Sequence, residues 1–163
     1  MENYEFIREL EKTGAEFKKN EMMSAHTSFK IGGAADFYIY PSCSDELVKV
    51  IKLCKEFNVP FFIIGKGSNL LVSDFGIEGA VIDTSKLNKT ELKSENVIYC
   101  ECGVSLIRLC NFALENSLSG LEFAFGIPGS VGGAAVMNAG AYGGEISDVI
   151  KSCMCIDRDG NAL

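Results

Sequence analysis

Residues 120–144 read Gly-Leu-Glu-Phe-Ala-Phe-Gly-Ile-Pro-Gly-Ser-Val-Gly-Gly-Ala-Ala-Val-Met-Asn-Ala-Gly-Ala-Tyr-Gly-Gly, and no other stretch limits the fold as strongly. It holds eight of the chain's seventeen glycines and a single charged residue, Glu122. Average usage would place about two glycines in such a window. Glycine-rich linkers are polar, whereas this stretch carries Leu121, Phe123, Phe125, Ile127, Val131, Val136 and Met137. A segment both apolar and glycine-rich is built for burial with its backbone close to something. Two occupants meet that description: a flat or phosphorylated ligand reached by main-chain N–H groups, or a packed turn cluster.

At 163 residues and 47% apolar, the chain can bury the core of one ordinary domain or of two small lobes. No run approaches the ~18 apolar residues of a membrane span. The N-terminus, Met-Glu-Asn-Tyr-Glu-Phe-Ile-Arg-Glu-Leu, is charged and amphipathic, unlike a signal peptide, so a cytoplasmic location is expected. A net charge of −7 without Lys/Arg clusters argues against nucleic acid and anionic membranes as partners. Any bound phosphate must then be held by local backbone dipoles. The seven cysteines (Cys43, Cys54, Cys100, Cys102, Cys110, Cys153, Cys155) are odd in number, and only His26 is available as a histidine ligand. Cys-x-Cys spacing is poor for structural zinc, so no metal is expected and reduced, mostly buried thiols are.

Periodicity predicts an amphipathic helix over 2–12 (Phe6, Ile7 and Leu10 on one stripe) stopped at Gly14. A strand follows over Asp36–Tyr40. A helix capped by Ser44 or Asp45 runs to about Phe57, packing Leu47, Val48, Ile51, Leu53 and Cys54. Phe61–Ile64 reads as a parallel strand buried on both faces, and Gly79–Asp83 as another. After a divider near Leu87–Glu95 the pattern restarts. Asn96–Cys102 is a strand, Ser105 caps a helix through Asn116, and Val149–Ile156 forms a further strand. Asp157-Arg-Asp-Gly-Asn161 is a hairpin turn. Ala162 and Leu163 begin its returning strand, so the chain is expected to be part of a longer protein with an open strand edge prone to self-association.

Two loops are ligand candidates. Ile64-Gly-Lys-Gly-Ser-Asn-Leu70 fits neither the dinucleotide fingerprint nor a Walker loop. Its Gly65 and Gly67 free successive amides to form an anion nest, with Lys66, Ser68, Asn69 and Leu70 around it; a plain turn between strands is the alternative. Gly126-Ile-Pro-Gly-Ser-Val-Gly-Gly133 can wrap a flat ligand, and Asn138-Ala-Gly-Ala-Tyr142 can present amides to it. Tyr142 either stacks there or packs in the core. His26, in His26-Thr-Ser-Phe-Lys-Ile-Gly-Gly33, has no obvious carboxylate partner and reads as a cap or a hydrogen-bonded surface residue.

Taken together, His26–Gly33, Gly65-x-Gly-Ser-Asn-Leu-Leu-Val72 with Asp74-x-Gly-x-x-Gly79, and Gly120 through Gly143 resemble the UDP-N-acetylenolpyruvoylglucosamine reductase family of peptidoglycan synthesis. The likeness runs in order from about residue 22 to the end. It implies an α/β (α+β) class, the two-lobed FAD-binding fold of the vanillyl-alcohol-oxidase type. Residues 1–21 would be an N-terminal helix and lead-in, 22–87 the first FAD-binding lobe, and 88–163 an incomplete second lobe. It implies non-covalent FAD, NADPH as hydride donor and a UDP-sugar substrate. Gly65, Gly67, Ser68 and Asn69 match the family's pyrophosphate loop. Ile127, Pro128, Ser130, Gly132, Gly133, Ala134, Asn138, Ala139, Gly140 and Ala141 match its flavin-lining segment, within which Gly129 and Tyr142 also fall. The family's catalytic motifs, Tyr-Arg-x-Ser, Gly-Ser-x-Phe and a C-terminal glutamate, do not occur among the 163 residues. Arg158 sits in Asp-Arg-Asp-Gly and does not match, so no catalytic residue is expected in this chain. A flavin oxidase of the same fold and a non-catalytic nucleotide-binding module are the alternatives.

Overall fold

Phe6 and Leu10, one turn apart on an N-terminal helix, anchor the first part of the molecule. The computed structural model describes residues 4–163, so the first two residues of the predicted 2–12 helix lie outside it. Helix α1 (Tyr4–Thr13) buries those two side chains and stops before Gly14. Phe6 meets Phe37 and Phe57 edge-on, with ring centroids 5.0 and 5.9 Å apart.

A four-stranded sheet follows in the order β1-β2-β4-β3, where β1 is Glu16–Met22, β2 Ala34–Tyr40, β3 Phe61–Ile64 and β4 Ile77–Asp83. The β1 strand pairs antiparallel with β2, while β2 and β3 flank β4 in parallel. Period-2 alternation splits their side chains between two cores. Ile39, Ala80 and Ile82 pack with α1 and with helix α2 (Ser44–Glu56). Tyr38 and Val81 pack with Met23, Ile64 and Val72 on the other face.

Helix α2 buries Leu47, Val50, Ile51, Leu53 and Cys54, leaving Val48 half-buried. Its cap position is Cys43, rather than Ser44 or Asp45, and the Cys43 side chain makes no capping bond. Glu46 instead reaches back to accept from the Ser42 amide and hydroxyl at 2.7 and 2.9 Å. The β3 strand is parallel as expected but is not buried on both faces. It lies at the sheet edge, and Phe62 and Ile63 are exposed.

Beyond Leu87 a hairpin of β5 (Thr90–Ser94) and β6 (Val97–Cys100) leads to helix α3 (Leu106–Glu115), which Ser105 caps as predicted by accepting from the Arg108 amide. A short helix α4 (Val131–Met137), a two-residue hairpin β7–β8 (Gly140–Ala141 with Gly144–Glu145) and one turn of helix α5 (Ile146–Val149) complete the elements. Leu106, Cys110, Phe123, Ala124, Ala134 and Ile146 form a third core cluster here.

The strand expected over Val149–Ile156 is absent. Residues 150–155 belong to no ladder among the described residues, and only Ile156 bridges Ala162. Apolar alternation makes a strand only where a neighbour accepts its hydrogen bonds. The Asp157–Asn161 turn does form: Asp157 N donates to Asn161 O at 2.9 Å and Gly160 N to Asp157 O at 3.1 Å.

Burial pushes the Cys54 thiol up to about 12 from 9.0, and raises the Tyr38 phenol, which is also next to the Asp83 carboxylate. Both groups therefore lose their protons more readily in the unfolded chain. Their stability contribution is intact below the unfolded value and is lost as pH climbs toward the folded one. Denaturant titrations between about pH 8 and about pH 10 are expected to show falling stability, with about 1 kcal/mol of the loss removed in Cys54→Ala. An alkaline decline of unchanged depth in that variant would put the titrating group elsewhere.

Candidate cofactor site

The Ile64 carbonyl, at the end of β3, accepts from both the Thr84 amide (3.0 Å) and hydroxyl (3.1 Å), which anchors the start of the 65–70 loop. Gly67 takes a left-handed φ of +61°, and a Cβ there would stand 2.0 Å from the His26 carbonyl oxygen. Its own carbonyl accepts from Ser28 N at 3.1 Å. With the loop seated this way, the amides of Lys66, Gly67, Ser68 and Asn69 donate to no acceptor among the described residues. Four successive N–H groups are thus left without a protein acceptor.

The His26–Ser28 segment is held from below. The His26 ring stacks on Tyr38 with centroids 4.1 Å apart, and its Nε2 lies 2.9 Å from Glu21 Oε1. Tyr38 donates to buried Asp83 at 2.8 Å, and the second Asp83 oxygen accepts from Ser85 N at 2.7 Å. His26 thus does have a carboxylate partner. The sequence concealed it because Glu21 belongs to β1, a polar edge strand with no apolar alternation.

The second loop is fixed by main-chain bonds to the segment before α3. Leu106 N donates to Gly129 O, Val131 N to Val104 O, and Gly132 N to Cys102 O. Ser130 is 2% exposed, and its hydroxyl caps α4 by accepting from Gly133 N at 3.3 Å. A Cβ on Gly65 would fall 2.2 Å from that Ser130 oxygen, so this contact brings the two loops together. Asn138, left-handed at the end of α4, accepts from Ser147 N at 2.9 Å. Tyr142 and Gly143 form the tip of the β7–β8 hairpin, both with positive φ. Tyr142 is 95% exposed there, which excludes core packing.

Between the loops lies a cleft of about 470 Å³. Ser28 and Lys66 line it from the first part of the chain, and Phe125–Gly129 from the second, with Ser105 and Ile107. Of the residues singled out in the sequence, Lys66, Ile127, Pro128 and Gly129 line this cleft. Gly65 and Ser130 touch beside it, Gly132 packs against Cys102, and Ala134 is buried in the third core. Asn138–Tyr142 stand apart on or before the exposed hairpin. Ser28 and Ile107 were not singled out. Ser28 lies inside the His26–Gly33 motif, while Ile107 reads as an ordinary helix residue. Ser28 and Lys66 give the cleft polar groups on one side and Phe125, Ile127 and Pro128 apolar surface on the other, while Gly67, Ser68 and Asn69 do not line it and Leu70 packs against the second core.

The fold is that of a flavin-binding domain. Residues 35–163 match the family model for the FAD binding domain, and the chain belongs to that family. The resemblance noted in the sequence is borne out. UDP-N-acetylenolpyruvoylglucosamine reductase of Clostridium novyi is 51% identical over 148 residues, covering 91% of this chain and 48% of the relative. The reductase of Clostridium tetani is 49% identical over 166 residues, covering 100% and 54%. The crystal structure of the Thermus caldophilus reductase superposes with a TM-score of 0.74 at 31% identity, over 91% of this chain and 51% of that one. The chain spans about half the length of the curated relatives it matches. An alkyldihydroxyacetonephosphate synthase, 20% identical with a TM-score of 0.77 over 100% of this chain and 35% of its own, shares the fold alone. Among the described residues no helix is long and apolar enough to cross a membrane, and no group of three or more His, Cys, Asp or Glu converges as metal ligands.

Proposed function

We propose that this chain is the FAD-holding part of a UDP-N-acetylenolpyruvoylglucosamine reductase acting in the cytoplasm on a UDP-sugar with NADPH. The observation that carries the reading is the run of unpaired amides from Lys66 to Asn69, in a loop whose Lys66 lines the cleft. These amides, with the Ser68 and Asn69 side chains and the Lys66 ammonium, would hold the pyrophosphate of FAD. In a chain of net charge −7, a local array of dipoles is the means available for binding a diphosphate. Phe125, Ile127 and Pro128 would cover a flat ring and keep water from it. Bound there, FAD supplies hydride transfer between NADPH and the enolpyruvyl double bond, giving the lactyl ether of UDP-N-acetylmuramate.

The domain reading follows the same division, with 22–87 contributing the amide loop and 88–163 the apolar wall. Two of the matched positions have another role besides. Gly132 and Ala134 pack against protein, so they shape the second loop from behind.

Gly126 tests the site cleanly. It lines the cleft, its φ is not left-handed, and a Cβ there would meet no atom within 4 Å. Gly126→Ala is therefore expected to fold with unchanged or slightly higher stability. An added methyl in the ligand's space weakens binding by about 1–2 kcal/mol, roughly tenfold in the FAD dissociation constant. Flavin fluorescence titration reads the affinity and a thermal melt reads the fold. Equal FAD affinity in both proteins would remove the Gly126 wall from the site.

A further inference from the structure

The Cys153–Cys155 pair has no part in the cofactor cleft. Both side chains are exposed, against the expectation of buried thiols, and their sulfurs lie 3.7 Å apart with the Cys155 thiol donating to Cys153. This proximity follows from the missing strand. In a pleated strand, residues two apart stand about 6.6 Å from one another, and their Cβ atoms stay beyond the about 3.8 Å a disulfide requires. The irregular backbone of 150–155 turns both thiols toward one point instead. Cys155 is held to Leu163 by mutual main-chain bonds of 3.3 and 2.8 Å. Residues 151–155 are all exposed, so closing the remaining gap displaces no packed side chain.

Four other thiols are held out of such chemistry. Burial pushes Cys54 up to about 12 and Cys100 up to about 11, and it raises Cys102 and Cys110. Thiols that stay protonated are poor nucleophiles.

We propose that Cys153 and Cys155 form a reversible dithiol–disulfide site that accepts a low-molecular-weight disulfide as oxidant. The Cys155 thiolate attacks one sulfur of the small disulfide, expelling one small thiolate and leaving a mixed disulfide on Cys155. Cys153 gives up its proton to the solvent and attacks the Cys155 sulfur, expelling the second small thiolate, which is then protonated. Two protein thiols become one protein disulfide, and one small disulfide becomes two small thiols. Desolvation and then the neighbouring Cys155 sulfur raise the Cys153 thiol, and the two sulfurs exchange roles where Cys153 attacks first. The exposed position keeps the bond open to reduction by the same route.

The purified chain, equilibrated with oxidised and reduced glutathione, quenched with acid and alkylated, tests this. Cleavage after Lys151 and Arg158 releases Ser152–Arg158, whose only cysteines are this pair. The expected product is that peptide with two hydrogens lost and no alkyl group, returning to the dialkylated form when the mixture is made reducing. Cys155→Ser and Cys153→Ser should each leave a persistent single glutathione adduct on the remaining sulfur. Glutathione on both sulfurs of one molecule, a bridge through Cys100, or two unreacted thiols would each overturn the proposal. Far-UV circular dichroism of the serine variants confirms that these exposed positions leave the fold intact.

Discussion

Gly67→Ala is expected to destabilise the chain by about 2–5 kcal/mol and to remove FAD binding together with it. Two separate effects act at this position. A left-handed backbone costs a non-glycine residue about 1–2 kcal/mol. The new Cβ would also stand 2.0 Å from the His26 carbonyl oxygen and 3.2 Å from Thr27 Cα, which are main-chain atoms that cannot rotate away. Relieving that overlap means moving the 65–70 loop off the 26–28 segment, breaking the bond from Ser28 N to Gly67 O and scattering the four unpaired amides. Denaturant titration reads the stability and flavin fluorescence the affinity. Wild-type values for both would show that the loop's seating on His26 does not hold the site. The contrast with Gly126→Ala, where affinity alone should fall, separates a glycine required by the protein from one required by the ligand.

That contrast also shows what the sequence could reveal. The glycine-rich apolar segment announced close approach of a backbone, but not of what to what. Gly65, Gly67 and Gly132 turn out to face other parts of the chain: Ser130, His26 and Cys102. Composition cannot distinguish such contacts from contacts with a ligand. The α2 and α3 helices and the central β4 were legible because their apolar periodicity coincides with burial on one stripe or both faces. The β1 strand was not, since Glu16-Phe-Lys-Lys-Asn-Glu-Met22 is mostly exposed and takes its structure from pairing with β2 rather than from its own pattern. The β5 strand, Thr-Glu-Leu-Lys-Ser, escaped for the same reason. Residues 150–155 erred in the opposite direction, since among the described residues 151–155 only Cys155 at their end finds a main-chain partner, Leu163, and no ladder extends along the rest. Family motifs supplied both loops as candidates by their order along the chain, and geometry joins the two loops through Gly65 and Ser130.

Loaded with FAD and given NADPH, the 163-residue chain is expected to leave UDP-N-acetylglucosamine enolpyruvate unreduced. Adding a hydride to one carbon of the enolpyruvyl bond requires a proton at the other, delivered by a group held at hydrogen-bonding distance. The candidate donors near the cleft lack the partners that would make them acids. Ser28 and Ser105 line the cleft and Ser130 lies buried beside it, and among the described residues none of these three hydroxyls is hydrogen-bonded to an acidic or basic side chain that would make it a proton relay. Lys66 is exposed, and Tyr142 stands 95% exposed on its hairpin tip. None is a preorganised acid, and no arginine lines the cleft to stabilise charge developing on the substrate carboxylate. Each such group typically contributes a factor of about 10² to 10⁴ in rate. Two missing together should therefore leave a reaction too slow to follow, even with the cofactor in place. NADPH oxidation that rises with the enolpyruvyl substrate, measured on protein shown by titration to be saturated with FAD, would contradict this. It would require a proton donor among these residues, and serine variants at 28, 105 and 130 would then identify which.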